Sequence, residues 1–337
     1  MPNVPDIALA EELRRRRIHP NPRLGQNFMV DRQMLDFLVH VADVTKSDTV
    51  LEIGTGAGFL TQRLCEAAGR VVSVEIDLRL YELSCERLAT FGNLTLVRGD
   101  ALAGEHSYAD YVVKALQPPP PPRRDAAIAA ERPRKRTALR AANMRQTCGT
   151  PSGPCVMPHG GATAHGSAIK VVSNLPYSIA SAVVQATLES DLPFSGVWAT
   201  VQKEVGERLS AAPGEREYSF VSAFVSILAD IRIVRRLPAS VFWPQPRVES
   251  AIVEVLLRPE KRRAAGDIEA VRRVLSKLFS FRRKELRSAL KLSGLDPKAI
   301  ARVEERANEI GVSGRERVFR LRPETLVEIA RAADVTP

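Results

Sequence analysis

Two hydrophobic periods organise this chain. Residues 32–43 carry apolar positions at helical spacing and predict an amphipathic helix. The stretch "DTVLEIGTGAGFLTQRLCEAAGRVVSVEIDLRLYELSCERLATFGNLTLVRGDAL" then switches between short apolar runs and helical spacing. It predicts strands over Val50–Ile53, Val71–Glu75 and Leu94–Arg98, with helices over Phe59–Ala67 and Leu80–Ala89 and a turn at Gly54–Gly58. Strands separated by helices imply βαβ units and a parallel sheet.

The periodicity fails over 103–168, where "QPPPPPRRD", "ERPRKRT" and "TCGTPSGPCVMPHGGATAHGS" occur. Such composition cannot bury enough apolar surface to offset the entropy of ordering. Most of this segment is expected to be an inserted flexible loop. Its basic clusters read as a solvated linker, with nucleic-acid contact as the competing reading. The sheet resumes at Ile169–Ser173, followed by a helix over Val183–Glu189 and a strand over Val197–Val201. "VQKEVGERLSA" is helical, while "AFVSILADIRIVRRL" and "AIVEVLLRP" are strand-like around the loop "PASVFWPQPRVES". From Asp267 the chain predicts short helices with basic faces. The strongest, "VRRVLSKLFSFRRKELRSALKL", is anchored by Val271, Leu275, Leu278, Leu286 and Leu290. This organisation gives an N-terminal extension over 1–22, a main domain over 23–258 and a helical domain over 259–337.

Composition changes this picture chiefly through charge. The chain of 337 residues is long enough for two cores, and its formal charge is +10. Residues 257–337 hold 20 Lys/Arg against 12 Asp/Glu, so this segment carries +8 of that charge. Such a tail suggests a polyanionic partner, with an ordinary basic surface as the alternative. No apolar run reaches the length of a membrane span and no signal-peptide core is evident, so no membrane partner is expected. Four cysteines are too few for a disulfide scaffold and fit a reducing cytoplasm.

"LEIGTGAG" follows a strand and opens a helix, with glycines at 54, 56 and 58. Glycine there permits a tight turn and close approach to a ligand. Glu75 ends the next strand, where a ribose-binding carboxylate belongs, and Asp100 ends the third. Three ligand-type groups therefore share one sheet edge. No Lys or Arg follows the glycines to hold a pyrophosphate. A nucleoside without phosphate fits better than a dinucleotide, and S-adenosylmethionine is such a ligand. A purely structural turn is the plainer alternative.

Asn174-Leu175-Pro176-Tyr177 ends the strand that follows the insertion, on the same rim. The Asn174 oxygen can accept one N–H of an adenine amino group, and a backbone carbonyl, that of Leu175, the other. Pro176 stiffens the turn, and Tyr177 offers a face for stacking on the base. Two acceptors turn the amine lone pair toward a methyl donor. The reaction expected is direct in-line displacement with no covalent intermediate, the proton leaving afterwards from a very acidic ammonium. The simpler reading makes Asn174 a local helix cap.

The order "RLGQNFMVD", "VLEIGTGAG", "VEID", "GDAL", "NLPYSIAS", "QKEVGERLSAAPGEREYS", "VFWPQPRVESAIV" and "FSFRRKELRSAL" resembles the ribosomal RNA adenine dimethyltransferase family, and within it the bacterial small-subunit enzymes. The resemblance covers 23–102 and 169–292 well and the last forty residues weakly. It implies an α/β fold: a Rossmann-like S-adenosylmethionine-dependent methyltransferase sheet with a small all-helical C-terminal domain. It also implies cofactor binding by Asn27, the backbone at Met29, Gly54, Glu75, Asp100 and Asn174, and catalysis at Asn174, Leu175, Pro176 and Tyr177. Phe242 matches a family aromatic near the target base. The implied reaction is N6,N6-dimethylation of two adjacent adenosines in the terminal hairpin of small-subunit rRNA, during ribosome biogenesis, by a cytoplasmic monomer. The basic helix 271–291 is the candidate rRNA contact.

Two departures stand out. Thr55 occupies a position where the family usually has proline, and 103–168 replaces a short connection. Cys148, Cys155, His159 and His165 raise the question of zinc, but their spacing lacks the usual close cysteine pair, and no metal is expected. Two readings compete with the first. One is a large-subunit rRNA adenine methyltransferase of the antibiotic-resistance type, against which "GDAL" and "NLPY" speak. The other is a non-catalytic rRNA-binding assembly factor. Leu175 argues against a DNA adenine methyltransferase, so no DNA partner is expected.

Overall fold

The computed structural model describes residues 4–21, 24–104, 106–118 and 168–334. Its centre is a seven-stranded sheet built from β2 (Thr49–Ile53), β3 (Arg70–Glu75), β4 (Leu94–Arg98), β5 (Ile169–Asn174), β6 (Phe194–Gln202), β7 (Ala229–Leu237) and β9 (Ser250–Leu257). The order is β4-β3-β2-β5-β6-β9-β7. Strands β4 to β6 in this order are parallel, while β9 and β7 are antiparallel. The chain winds outward from β2 to β4 and then returns to the other side of β2 with β5. The crevice between β2 and β5 is the switch point at which open α/β sheets bind ligands.

Apart from the edge strand β7, the strands are buried on both faces, which is why they appear in the sequence as nearly continuous apolar runs. On one face Leu51, Ile53, Val171 and Val197 pack with α5 (Asp110–Leu116), α6 (Ala180–Glu189), α7 (Lys203–Ser210) and α8 (Phe220–Leu228). On the other, Val50, Val71, Val172 and Trp198 pack with α2 (Arg32–Val41), α3 (Phe59–Ala67) and α4 (Leu78–Arg87). Asp31 and Asp77 cap α2 and α4, each side chain accepting from backbone N–H groups of the first turn.

The N-terminal extension is not loose. It forms α1 (Val4–Arg15), whose Leu9 and Leu13 bury against Leu80 and Leu83 of α4. The C-terminal helices α9 (Pro259–Ala265), α10 (Ile268–Phe279), α11 (Leu286–Leu292), α12 (Pro297–Glu309) and α13 (Pro323–Asp334) continue the first-face core without a break.

Three elements differ from expectation. "AFVSIL" is helical, as α8, and only "ADIRIVRRL" is the strand β7. The single basic helix expected over 271–291 is two helices, α10 and α11, separated by the turn at 280–285. The start of the expected flexible insertion belongs to the fold: Tyr108, Val112 and Leu116 are buried, and Arg70 donates to the carbonyls of Ala115, Leu116 and Gln117 at the end of α5. The rest of that insertion, with Cys148, Cys155, His159 and His165, lies outside the described residues. Among the described residues, no helix is long and apolar enough to cross a membrane, and no group of three or more His, Cys, Asp or Glu is arranged for a metal ion.

Candidate active site

Parallel strands bring their C-terminal ends to one edge, so Gly54, Glu75, Asp100 and Asn174 meet there around a cavity of ≈ 210 Å3. The glycine turn forms its floor. Gly54, Gly56 and Gly58 all adopt positive φ, at 86°, 58° and 80°. A Cβ on Gly56 would stand 3.1 Å from the Phe28 ring, and one on Gly54 would stand 3.4 Å from Pro176. Both positions thus favour glycine for conformation, and Gly56 is tight for space as well.

Glu75 is 4% exposed and borders this cavity. Its two oxygens accept from Gly56 N at 2.8 Å and Asp77 N at 2.9 Å. Burial raises its pKa, opposed by those backbone hydrogen bonds. Each oxygen keeps a second lone pair, enough to receive a ribose diol. Asp100 follows Gly99, whose φ is 151°. A Cβ at Gly99 would collide with the Tyr111 hydroxyl, which donates to the Asp100 carbonyl. Asp100 is exposed at the rim, its Oδ1 accepting from Leu102 N at 3.0 Å. Ile76, 50% exposed, supplies an apolar wall between the two acids.

Across the crevice, Asn174 donates from Nδ2 to the Asn27 carbonyl at 2.8 Å. Its Oδ1 is buried and has no hydrogen-bond partner. An amide oxygen held without a donor costs roughly 1–3 kcal/mol, and this one is free to accept an N–H. The segment before β1 (Phe28–Met29) closes over the same cavity. Gln26 Nε2 donates to Asp77 Oδ2 at 3.2 Å, and a Cβ on Gly25 would touch the backbone of Tyr177.

A second, wider cavity of ≈ 690 Å3 shares Gly25, Gln26, Asn27 and Ser178 with the first. It is bordered by Tyr177, Gln202 and Pro244–Val248. Tyr177 is half-buried, and its hydroxyl lies 2.7 Å from Ser250 Oγ. Burial raises its pKa as well, the hydrogen bond to Ser250 acting in the opposite direction.

Most of the expected site residues therefore gather at one edge. Leu175 directly follows Asn174 at the end of β5, with its side chain buried in the core. Met29 is buried and borders a smaller recess under the glycine turn. Phe242 is the residue that the structure does not bring to the mouth. It is 1% exposed and packs in the second-face core. The cause is the two-stranded ribbon of β1 with β8 (Phe242–Trp243), in which Met29 pairs with Phe242 and Phe28 with Trp243. Side chains alternate along a strand, so Phe242 turns inward and Trp243 outward onto Phe28, ring centroids 6.3 Å apart. Sequence reasoning did not single out Gln26, Tyr111 and Ser250, which the fold brings to Asp77, Asp100 and Tyr177.

The model of the family described as ribosomal RNA adenine dimethylase matches residues 18–332. The chain belongs to that family. It is 32% identical over 321 residues to a protein of Methanopyrus kandleri named probable ribosomal RNA small subunit methyltransferase A, covering 94% of this chain and 93% of the relative. It is 31% identical to the ribosomal RNA small subunit methyltransferase A of Pelotomaculum thermopropionicum, covering 85% and 82%. Among solved structures it is similar to a dimethyladenosine transferase from Plasmodium falciparum, with TM-score 0.60, 19% identity and coverage of 89% and 94%. It is also similar to the 23S rRNA methyltransferase ErmE, with TM-score 0.55, 23% identity and coverage of 91% and 100%. Family members of this fold are methyltransferases, and the cavity at the β2–β5 switch point lies where the fold binds its ligands.

Proposed function

We propose that this chain dimethylates the N6 amino groups of two adjacent adenosines in the 3′-terminal hairpin of small-subunit rRNA, using S-adenosylmethionine, during ribosome biogenesis. The observation that carries this reading is the buried, unpartnered Oδ1 of Asn174 at the first cavity, which shares a wall with the second. The residues of the first cavity fit the cofactor. Glu75 would hold its ribose, Asp100 and Ile76 its adenine, and Gly54 and Asn27 would lie along the rest. Bound there, S-adenosylmethionine supplies an electrophilic methyl group.

The chain's own residues then position the nucleophile. Asn174 Oδ1 accepts one N–H of the target amine, and the Leu175 carbonyl accepts the other. The Tyr177 ring stacks on the base, an interaction worth roughly 1–3 kcal/mol. Alignment and electrostatics supply the rate enhancement. The methylated ammonium is acidic enough to release its proton to water.

The curated relatives carry small-subunit names, which favours that substrate over large-subunit rRNA. The test is tritiated methyl transfer to undermethylated small ribosomal subunits, with large subunits and DNA in parallel, followed by nucleoside analysis. N6,N6-dimethyladenosine from small subunits alone is expected. Label in large subunits, or tight binding with no transfer, would overturn the assignment.

A further inference from the structure

Resting on the proposed role of Tyr177 at the target base, the geometry assigns Ser250 as the positioning residue that holds the long axis of the Tyr177 ring in place. A tyrosine held only by its backbone can swing about its first side-chain torsion and carry the ring away from the base it stacks on. Pro176 stiffens the backbone before Tyr177, but it does not reach the ring. The Tyr177 hydroxyl is tethered instead to Ser250 Oγ at 2.7 Å, across 73 residues of sequence.

Ser250 is a fixed anchor. It is fully buried at the start of β9. It pairs with Gln202 of β6 on one side and Leu237 of β7 on the other, so its backbone is held from both edges. The neighbouring Lys203 N donates to Glu249 O at 2.9 Å, which pins the strand entry as well. The residues that follow, Ala251, Ile252 and Val253, are fully buried and apolar. A hydroxyl in this position therefore needs a partner, and Tyr177 is the partner it has.

Two other core tyrosines with hydrogen-bonded hydroxyls differ in place. Tyr108 meets Thr187 and Tyr218 meets the Leu321 carbonyl, and neither borders the wider cavity. The Tyr177–Ser250 pair does so through Tyr177. One end of the ring thus sits in the sheet and its face at the mouth.

The test compares wild type with Ser250→Ala, Tyr177→Phe, the double variant and Ser250→Thr, in steady-state methyl transfer to small subunits. A second readout uses an RNA hairpin carrying 2-aminopurine at the target adenosine, whose fluorescence is quenched on stacking. Ser250→Ala and Tyr177→Phe should each lower kcat on the order of tenfold, the effect of removing one hydrogen bond that orients a reacting group. The KM for S-adenosylmethionine should stay within about twofold, and the double variant should be no slower than the slower single, because the two residues act as a unit. Ser250→Thr, which keeps the hydroxyl, should restore most of the rate. Both hydroxyl-deleted variants should quench 2-aminopurine less than wild type does. Wild-type kcat and quenching in Ser250→Ala would overturn the inference, as would multiplicative losses in the double variant. Failure of the wild type itself to methylate small subunits would instead overturn the substrate assignment.

Discussion

Asn174 and Asn27 are joined by a single hydrogen bond that commits one end of the Asn174 amide and frees the other. Nδ2 donates to the Asn27 carbonyl at 2.8 Å, so Oδ1 must face the crevice, where it is buried and unpartnered. Asn174→Ala removes that acceptor. By analogy with the removal of a single oriented group around a reacting atom, kcat should fall on the order of 10²–10³-fold. Asn174→Asp should not rescue it, because a carboxylate cannot donate to the Asn27 carbonyl and would repel it. Single-turnover methyl transfer measures both, with RNA binding as the control that should change little. Transfer at the wild-type rate in the alanine variant would exclude the amide from the chemistry.

The glycine turn gives a second expectation. Gly56 has a φ of 58°, sends its N–H to Glu75, and would crowd the Phe28 ring at 3.1 Å if it carried a Cβ. Gly56→Ala should cost about 1–2 kcal/mol from the left-handed backbone alone. It should also misplace the Glu75 carboxylate. Affinity for S-adenosylmethionine, followed by equilibrium dialysis, should therefore fall more than thermal stability does. Unchanged affinity would separate the turn from the ligand.

How much of this was legible in the chain depended on whether the signal was local. Strands β2 to β5 are buried on both faces, so their apolar runs stood out, as did the glycines and the acids that end them. Helix α8 is also buried nearly all round, and a helix without a polar face looks like a buried strand. Only its capping box, Ser219 with Ser222, marks it, and that pair lacks the usual Glu or Gln. Helices α10 and α11 keep apolar anchors across the turn between them, which disguised the break. Helix α5 spans only Asp110–Leu116, and the proline run that follows it dominated the composition. Phe242 failed for another reason: a two-residue ribbon decides which of two adjacent aromatics points out, and only the pairing reveals it.

Beneath the glycine turn, Glu52 is 1% exposed and accepts from Thr61 Oγ1 at 2.7 Å and Ser73 Oγ at 2.6 Å. Thr55, where the family usually has proline, joins this set through Ser73. Burial pushes the Glu52 carboxyl up to about 8; the Ser73 and Thr61 hydroxyls pull it down, and the charge of Glu75 adds to the rise. Between its ordinary 4.5 and about 8, the folded state holds a proton that the unfolded state lacks. Stability from this group therefore falls as pH rises through that window, by at most about 1.4 kcal/mol per pH unit. Glu52→Gln keeps the neutral, hydrogen-bonding form at every pH. Wild type should lose Tm relative to Glu52→Gln progressively from pH 5 to 8, and parallel curves would place the carboxyl in a normal titration range.

The basic residues of the C-terminal region divide into two kinds. Arg282 donates to the carbonyls of Arg216 and Tyr218, so it ties the turn at 280–285 to the segment before α8. Arg283, Lys284 and Arg317 are exposed nearby, and Arg283 and Arg317 border a broad groove of ≈ 1030 Å3 that begins at Glu204, two residues beyond Gln202 at the target mouth. Replacing Arg283, Lys284 and Arg317 with Gln should weaken rRNA binding and reduce the slope of log K against log salt by about 0.7–0.9 for each phosphate no longer neutralised. Thermal stability should hardly move. Arg282→Gln should do the reverse, lowering Tm while leaving most of the salt slope intact. Filter binding across a salt series, paired with thermal melts, separates the two; an unchanged slope in the triple variant would move the RNA surface elsewhere.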